Sequence, residues 1–271
     1  TSSDYKTIVK AAGSWAAGNS MNTARTNAQG GGIQTAGLVF GGEEPSISAL
    51  NESYDGTAWT EAGDLNTARK SAASSPNGST TAMLCVAGAT PTTVAINESF
   101  NGTSWTEVGD LNQLRKQLGG AGTSTAAIVY SGEKGPYSAE TESWDGSSWT
   151  EVGDLNTARS AGQGSGTLTA AFYAGGQPEF PTINETWDGS SWTEVNNLNT
   201  GRIGGGATGN TTQGLVFGGY SPSYVTNTEL WDGTSFSEVN DLPTAKAVFN
   251  ADLGTSTLAV ACGGALPSIT G

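Results

Sequence analysis

Six basic residues recur at one position of a repeating pattern. Arg25, Arg69, Arg115, Arg159, Arg202 and Lys246 each follow an aromatic residue (Trp15, Trp59, Trp105, Trp149, Trp192 or Phe236) by ten positions. Gathered at one mouth of a channel, these cations would form a ring suited to an anionic ligand. The alternative is structural: each packs beside the aromatics and pairs with Glu61, Glu107, Glu151, Glu194 or Glu238, tying neighbouring units together. A group present in every unit is more simply explained by the geometry of every unit, so the structural reading is preferred. Paired carboxylates for acid–base work, such as Glu142 and Glu151, fail by the same reasoning, because their motif appears five times. An active site should break the symmetry.

The rest of the reactive inventory is sparse. The chain has no histidine, which removes the commonest general base and metal ligand. Its two cysteines, Cys85 and Cys262, fall in the apolar strands of units two apart, one aligned position from each other. That places them on opposite faces and argues for two buried thiols rather than a disulfide. No transition metal or redox cofactor is expected; calcium is left open, because carboxylate and backbone oxygens abound in the loops. A net charge of −14 opposes binding to nucleic acid or to an anionic membrane, both of which demand basic surface. No apolar stretch approaches the roughly 20 residues of a membrane helix, and no signal peptide is visible. A first residue of Thr1 reads as a processed chain or a fragment. Asn-X-Ser/Thr sequons at Asn51, Asn77, Asn97, Asn101, Asn184 and Asn210 arise easily in so Asn- and Ser-rich a chain and carry no functional weight.

The elements that must position these residues follow from the period. Successive reference aromatics are 44, 46, 44, 43 and 44 residues apart, the spacing of an array of supersecondary units. Six positions after each stands Met21, Leu65, Leu111, Leu155, Leu198 or Leu242; five before, Lys10, Tyr54, Phe100, Trp144, Trp187 or Trp231. Short apolar runs bounded by Gly, Asn, Asp and Ser predict antiparallel strands and no helix. In one unit these are a glycine-rich strand at 204–209, an apolar strand at 213–219, a third at 228–231 and a fourth at 235–239. Asp-Gly pairs at 55, 145, 188 and 232 lie between the last two strands, where a tight hairpin needs positive φ.

A glycine doublet after an apolar strand, then two spaced aromatics, a Leu and an Arg, resembles the kelch repeat. Gly41, Gly42, Tyr54, Trp59, Leu65 and Arg69 carry the likeness in one unit; Gly218, Gly219, Trp231, Phe236, Leu242 and Lys246 carry it in another. The resemblance covers essentially the whole chain. It implies an all-β fold, a single six-bladed kelch-like β-propeller domain over 1–271 with four antiparallel strands per blade. The last unit stops seven residues after Gly264, and residues 5–11 and 14–18 align to its missing strands, so the closing blade is expected to take two strands from each terminus. This first copy has Ile8, Ala11, Ala12 and Ala17 where the others mostly carry acids, Asn or Gly. Two enzymes of related architecture fit poorly. Galactose oxidase, a kelch-fold copper enzyme, uses histidine ligands that this chain lacks. The sialidase Asp box has one more residue between Asp and Gly than "SYDGTAW" at 53–59, and sialidases gather three arginines on one carboxylate.

Individuality lies in the segments after the glycine doublets: "EEPSISAL", "ATPTTVAI", "EKGPYSAE", "QPEFPTI", "YSPSYVTN" and "ALPSITG". Alternate loops of a propeller emerge on one face, so these should crowd one rim. That rim is the candidate binding surface, displaying Tyr137, Phe180, Tyr220 and Tyr224 with Glu43, Glu44, Glu133 and Glu179; amphipathic aromatics serve both sugar stacking and protein contacts. Near-identical copies such as "WDGSSWTEV" at 144 and 187 resemble the kelch-like propellers of virion proteins of phages, marine ones in particular. The resemblance implies a non-enzymatic binding or structural protein exposed on a virion or appendage, serving host recognition, adhesion or decoration. Its partners would be other virion or surface proteins or a cell-surface glycan, without nucleic acid or membrane insertion. Alternatives are a secreted, lectin-like or adhesive bacterial propeller and, third, a glycan-processing hydrolase.

Overall fold

The computed structural model describes residues 6–11, 13–248 and 252–266; side chains are described from Gly13 onward. Five antiparallel sheets are each built from four strands in chain order. Blade 1 comprises Gln29–Ile33, Ala36–Phe40, Asn51–Tyr54 and Trp59–Ala62. Blade 2 comprises Ala73–Ser74, Met83–Ala89, Thr93–Phe100 and Trp105–Val108. Blade 3 comprises Gly119–Thr123, Ala126–Tyr130, Thr141–Trp144 and Trp149–Glu151. Blade 4 comprises Gln163–Thr167, Ala170–Ala174, Asn184–Trp187 and Trp192–Val195. Blade 5 comprises Gly206–Gly209, Gly214–Phe217, Thr228–Trp231 and Phe236–Val239. A further sheet joins the chain ends: Asp252–Gly254 pairs with Ala259–Ala261, which pairs with Lys6–Ala11, which pairs with Ser14–Ser20. The first strands neighbour one another in cyclic order around one axis, and Asp252–Gly254 lies beside both Gly206–Gly209 and Gln29–Ile33.

Crowding at the axis explains the glycine-rich first strands. A β-carbon on Gly120 would collide with the Ser74 carbonyl of the adjacent blade. The doublets turn the chain off the second strand: Gly41 and Gly42 have φ of +64° and +94°, a region costly for other residues. Ala87 and Ser131, which replace the first glycine of the doublet, keep positive φ of 57° and 68°.

The aromatic period builds the outer hairpins and the joints between sheets. Tyr54 pairs in register with Trp59 and Trp144 with Trp149, with ring centroids 4.8 and 5.2 Å apart. Trp105 of blade 2 also packs edge-on against Phe40 of blade 1 at 4.8 Å, as Trp192 of blade 4 does against Tyr130 of blade 3 at 4.7 Å. Burying such rings is worth about 1.5–3 kcal/mol each. The Asp-Gly turns form as expected: Asp145 Oδ1 accepts the amides of Ser147 and Ser148, both at 2.8 Å, and these bonds hold its carboxyl at about 2. Cys85 and Cys262 are buried free thiols. The sequon residues Asn51, Asn97 and Asn184 are fully buried. Of the first-copy residues that depart from the repeat, Ala12 lies outside the described residues, as does the last loop beyond Leu266.

Candidate functional site

The repeated cations do not line a mouth. Each arginine sits in the segment leading into a blade and closes on a glutamate in that blade's third strand: Arg25 on Glu52 (2.9 Å), Arg115 on Glu142 (2.8 Å), Arg159 on Glu185 (2.5 Å), with Arg69 on Glu98 and Arg202 on Glu229. All five guanidiniums are no more than 1% exposed. Burial draws Arg25, Arg115 and Arg202 below the ordinary arginine value, and the facing carboxylates oppose it. The expected partners Glu61, Glu107, Glu151, Glu194 and Glu238 are exposed on the fourth strand instead. They stand directly across the ladder from the true partners, as Glu61 does from Glu52. Third strands lie inside the sheet, so their glutamates point into the joint, whereas fourth strands turn the equivalent side chain to water.

The joint has a second member that the sequence reading missed. Asn66, three residues before Arg69, donates its amide and side chain to Glu98 Oε2 at 2.7 and 2.9 Å, and its side chain also donates to the Trp105 carbonyl at 2.8 Å. Asn112, Asn156 and Asn199 repeat this on Glu142, Glu185 and Glu229, and Asn22 gives its amide to Glu52 and its side chain to the Trp59 carbonyl. The recurrent Asn-X-X-Arg spacing was the available signal. The segment leaving one blade is thereby tied to the next. At the terminal sheet the unit changes throughout. Pro243 and Lys246 stand for Asn and Arg, and Ile8, across from Ala261, holds the register position that Glu52 holds across from Val39. Lys246 donates to the Gly263 carbonyl at 3.0 Å, and burial draws its amine down to about 8.

One mouth of the channel is lined by a backbone arc through five units. Ser71, Gln117, Ala161 and Gly204 donate their amides to the carbonyls of Asn27, Ser71, Gln117 and Ala161 respectively, at 2.7–3.0 Å. All five residues have φ between +53° and +61°. At the other end Asn77, in the long first hairpin of blade 2, donates its amide to Gly122 O (3.0 Å) and its side chain to Gly166 O (2.6 Å). Between these lies space of about 10 Å³, lined by Gly30, Ser74, Gly120, Gly164 and Asp252, which is room for about one water. Asp252 takes the place of small residues in the other blades; Oδ2 accepts the Ala207 amide at 3.1 Å, and burial pushes its carboxyl up to about 8.

The variable loops leave beside that backbone collar. Each begins with an isolated bridge to the residue after the repeated cation: Glu43 to Thr26, Glu133 to Lys116, Gln177 to Ser160, Tyr220 to Ile203. The rim is divided in chemistry. On blades 1 to 3 it is charged and self-paired. Glu43 joins Lys70 and accepts from Asn27 at 3.1 Å; Glu133 lies 3.6 Å from Lys116; Lys134 joins Glu140. Glu44 and Glu179 are exposed. On blades 4 and 5 the rim is aromatic. Phe180 and Tyr220 have ring centroids 5.7 Å apart at 51°, and Tyr220 and Tyr224 5.4 Å apart at 78°. Tyr220–Ser221 and Ser223–Tyr224 form a small hairpin that sets the latter pair. Tyr137, 38% exposed, donates to Gln177 Oε1 at 3.4 Å and so touches the loop that bears Phe180. Of the sequence-predicted aromatics, three therefore meet in one cluster and the fourth adjoins it. Among the described residues, no three His, Cys, Asp or Glu side chains gather as a metal-binding group.

The chain matches no protein-family model and no curated protein. It is similar in structure to YjhT, with a TM-score of 0.72 at 13% sequence identity over 91% of this chain and 94% of that one. At that identity the likeness speaks to the fold: the protein is an all-β propeller with antiparallel four-stranded blades.

Proposed function

We propose that this chain is a six-bladed, kelch-like propeller closed by strands from both ends, and that it acts without catalysis as a recognition or structural platform on a phage virion or appendage. Pairing of Lys6–Ala11 with Ala259–Ala261 supports the closure. The near-identical copies support the virion setting by resemblance. The observation that carries the functional reading is the clustering of Phe180, Tyr220 and Tyr224, three residues that depart from the repeat, on one face of a framework whose paired third- and fourth-strand aromatics obey it. Rigid aromatic side chains on a fixed scaffold bind at low entropic cost. The partners that fit are other virion or surface proteins or a cell-surface glycan, while the net charge of −14 disfavours nucleic acid. Immunogold electron microscopy of native particles, run beside a glycan array with the purified protein, tests the placement. Label on an appendage, or a reproducible glycan hit, is expected; unlabelled particles together with a blank array would sink the reading.

A further inference from the structure

We propose that the corner formed by Phe180, Tyr220 and Tyr224 binds an organic ammonium group. The inference deepens the rim reading above and rests on it. Aromatic faces carry negative potential and attract a cation within about 6 Å of the ring centroid. Phe180 is tilted 51° to Tyr220, and Tyr220 and Tyr224 meet edge to face at 78°, so the cluster turns its ring faces in different directions rather than offering the single open plane on which a sugar ring lies. A weakly hydrated cation with a methylated or alkyl surface suits such a corner, since it is desolvated at low cost and touches two rings at once.

Charge points the same way. Within the two loops that build the corner, residues 177–183 and 220–227, the only charged residue is Glu179, which is exposed beside Phe180. The lysines of the rim's other half, Lys70, Lys116 and Lys134, are already matched by Glu43, Glu133 and Glu140. An anionic ligand would therefore meet a carboxylate and three π faces with no counter-charge in these loops, whereas an ammonium meets only favourable fields.

The framework is altered to hold this loop. Glu179 and Phe180 are consecutive non-glycine residues with φ of +60° and +56°, a strain that surrounding structure must enforce. The equivalents of Gly201 in other units are Ala24, Ala68, Leu114, Ala158 and Ala245. Here a β-carbon would collide with the Phe180 carbonyl. The repeat loses its side chain where the loop needs room.

Choline, tetramethylammonium and 3,3-dimethyl-1-butanol, the neutral carbon isostere of choline, titrated into the intact protein by NMR of the tyrosine rings, test the proposal. Saturable binding of both cations, at least about tenfold tighter than the alcohol, is expected. Tyr220→Ala should weaken it about tenfold or more at an unchanged melting temperature, and Glu179→Gln should weaken it and flatten its salt dependence. Equal affinity for the alcohol, or no saturable cation binding, overturns the proposal. Should the cations fail to bind while Tyr220→Ala still abolishes attachment of the protein to its surface, the ammonium assignment alone is wrong. Cation binding with attachment untouched by Tyr220→Ala would instead overturn the recognition role of the rim.

Discussion

Gly201 lies so close beneath the backbone carbonyl of Phe180 that the two residues form one unit, although they belong to different segments of the repeat. Restoring the alanine found at the equivalent position in most other units should for that reason destabilise this protein. Gly201→Ala is expected to cost about 1–3 kcal/mol through overpacking and to displace the 177–183 loop. Urea denaturation measures the first effect, and the Phe180 ring resonances the second. An unchanged midpoint with unshifted resonances would mean that the loop yields freely.

The buried Arg–Glu joints should be sensitive to loss of one partner. Glu98→Gln or Arg69→Ala leaves a charge stranded where both side chains are at most 2% exposed, a cost of about 3–5 kcal/mol. The half-exposed pair of Lys70 and Glu43 should yield about 0–1 kcal/mol on Lys70→Ala. Denaturation midpoints of the two sets would separate clearly; similar losses would contradict the assignment of the joint.

Asp252 predicts a pH dependence. Burial raises its folded carboxyl to about 8 from an ordinary 3.8, so the folded state holds a proton that the unfolded chain releases. Stability from this group is fully present below about pH 4 and is lost as pH rises through about 8, by at most about 1.4 kcal/mol per pH unit. Lys246, drawn down from 10.5 to about 8, acts in the opposite sense: the unfolded chain holds its proton longer, and stability recovers between about pH 8 and 10.5. Comparing Asp252→Asn with the unaltered protein between pH 5 and 7 isolates the carboxyl. The variant should lose the downward slope in that window; identical slopes would show that Asp252 is ionised in the folded protein.

The parts of this fold legible in sequence are those written in side chains at fixed spacing. The Asp145 turn, the Tyr54–Trp59 pair and the strand at 228–231 follow from turn chemistry and period alone. Glu52 and Glu61 mark the limit. They lie opposite each other on paired strands and recur with the same period, and only the third strand's position inside the sheet decides which of them meets Arg25. The collar through Asn27, Ser71, Gln117 and Ala161 is written in backbone conformation, with a different residue type at each step, and so leaves no compositional mark. Asn77 reaches across the other end through bonds to the adjacent blade and to the one beyond it, which no local pattern records. Of the rim, the roster of aromatics was readable; the meeting of Phe180 with Tyr220, and the pairing of Glu43 and Glu133 with lysines, required the fold.

The framework aromatics should matter for stability alone. Trp149 is buried, stacks near Trp144 and donates Nε1 to the Gly109 carbonyl of the preceding blade at 3.0 Å. Trp149→Ala should cost about 3–5 kcal/mol, with binding by the folded fraction unchanged. A loss of affinity at full folding would place part of the site on the framework.

The central claim is that residues obeying the repeat hold the propeller while those departing from it recognise the partner. The most direct measurement is attachment of a variant carrying alanine at Tyr137, Phe180, Tyr220 and Tyr224 together, recorded beside its melting temperature. The account predicts a melting temperature close to that of the unaltered protein and attachment weakened by about 2 kcal/mol or more, the loss expected on removing a hot spot. Attachment at full strength by the folded variant would contradict it and move recognition off the aromatic rim.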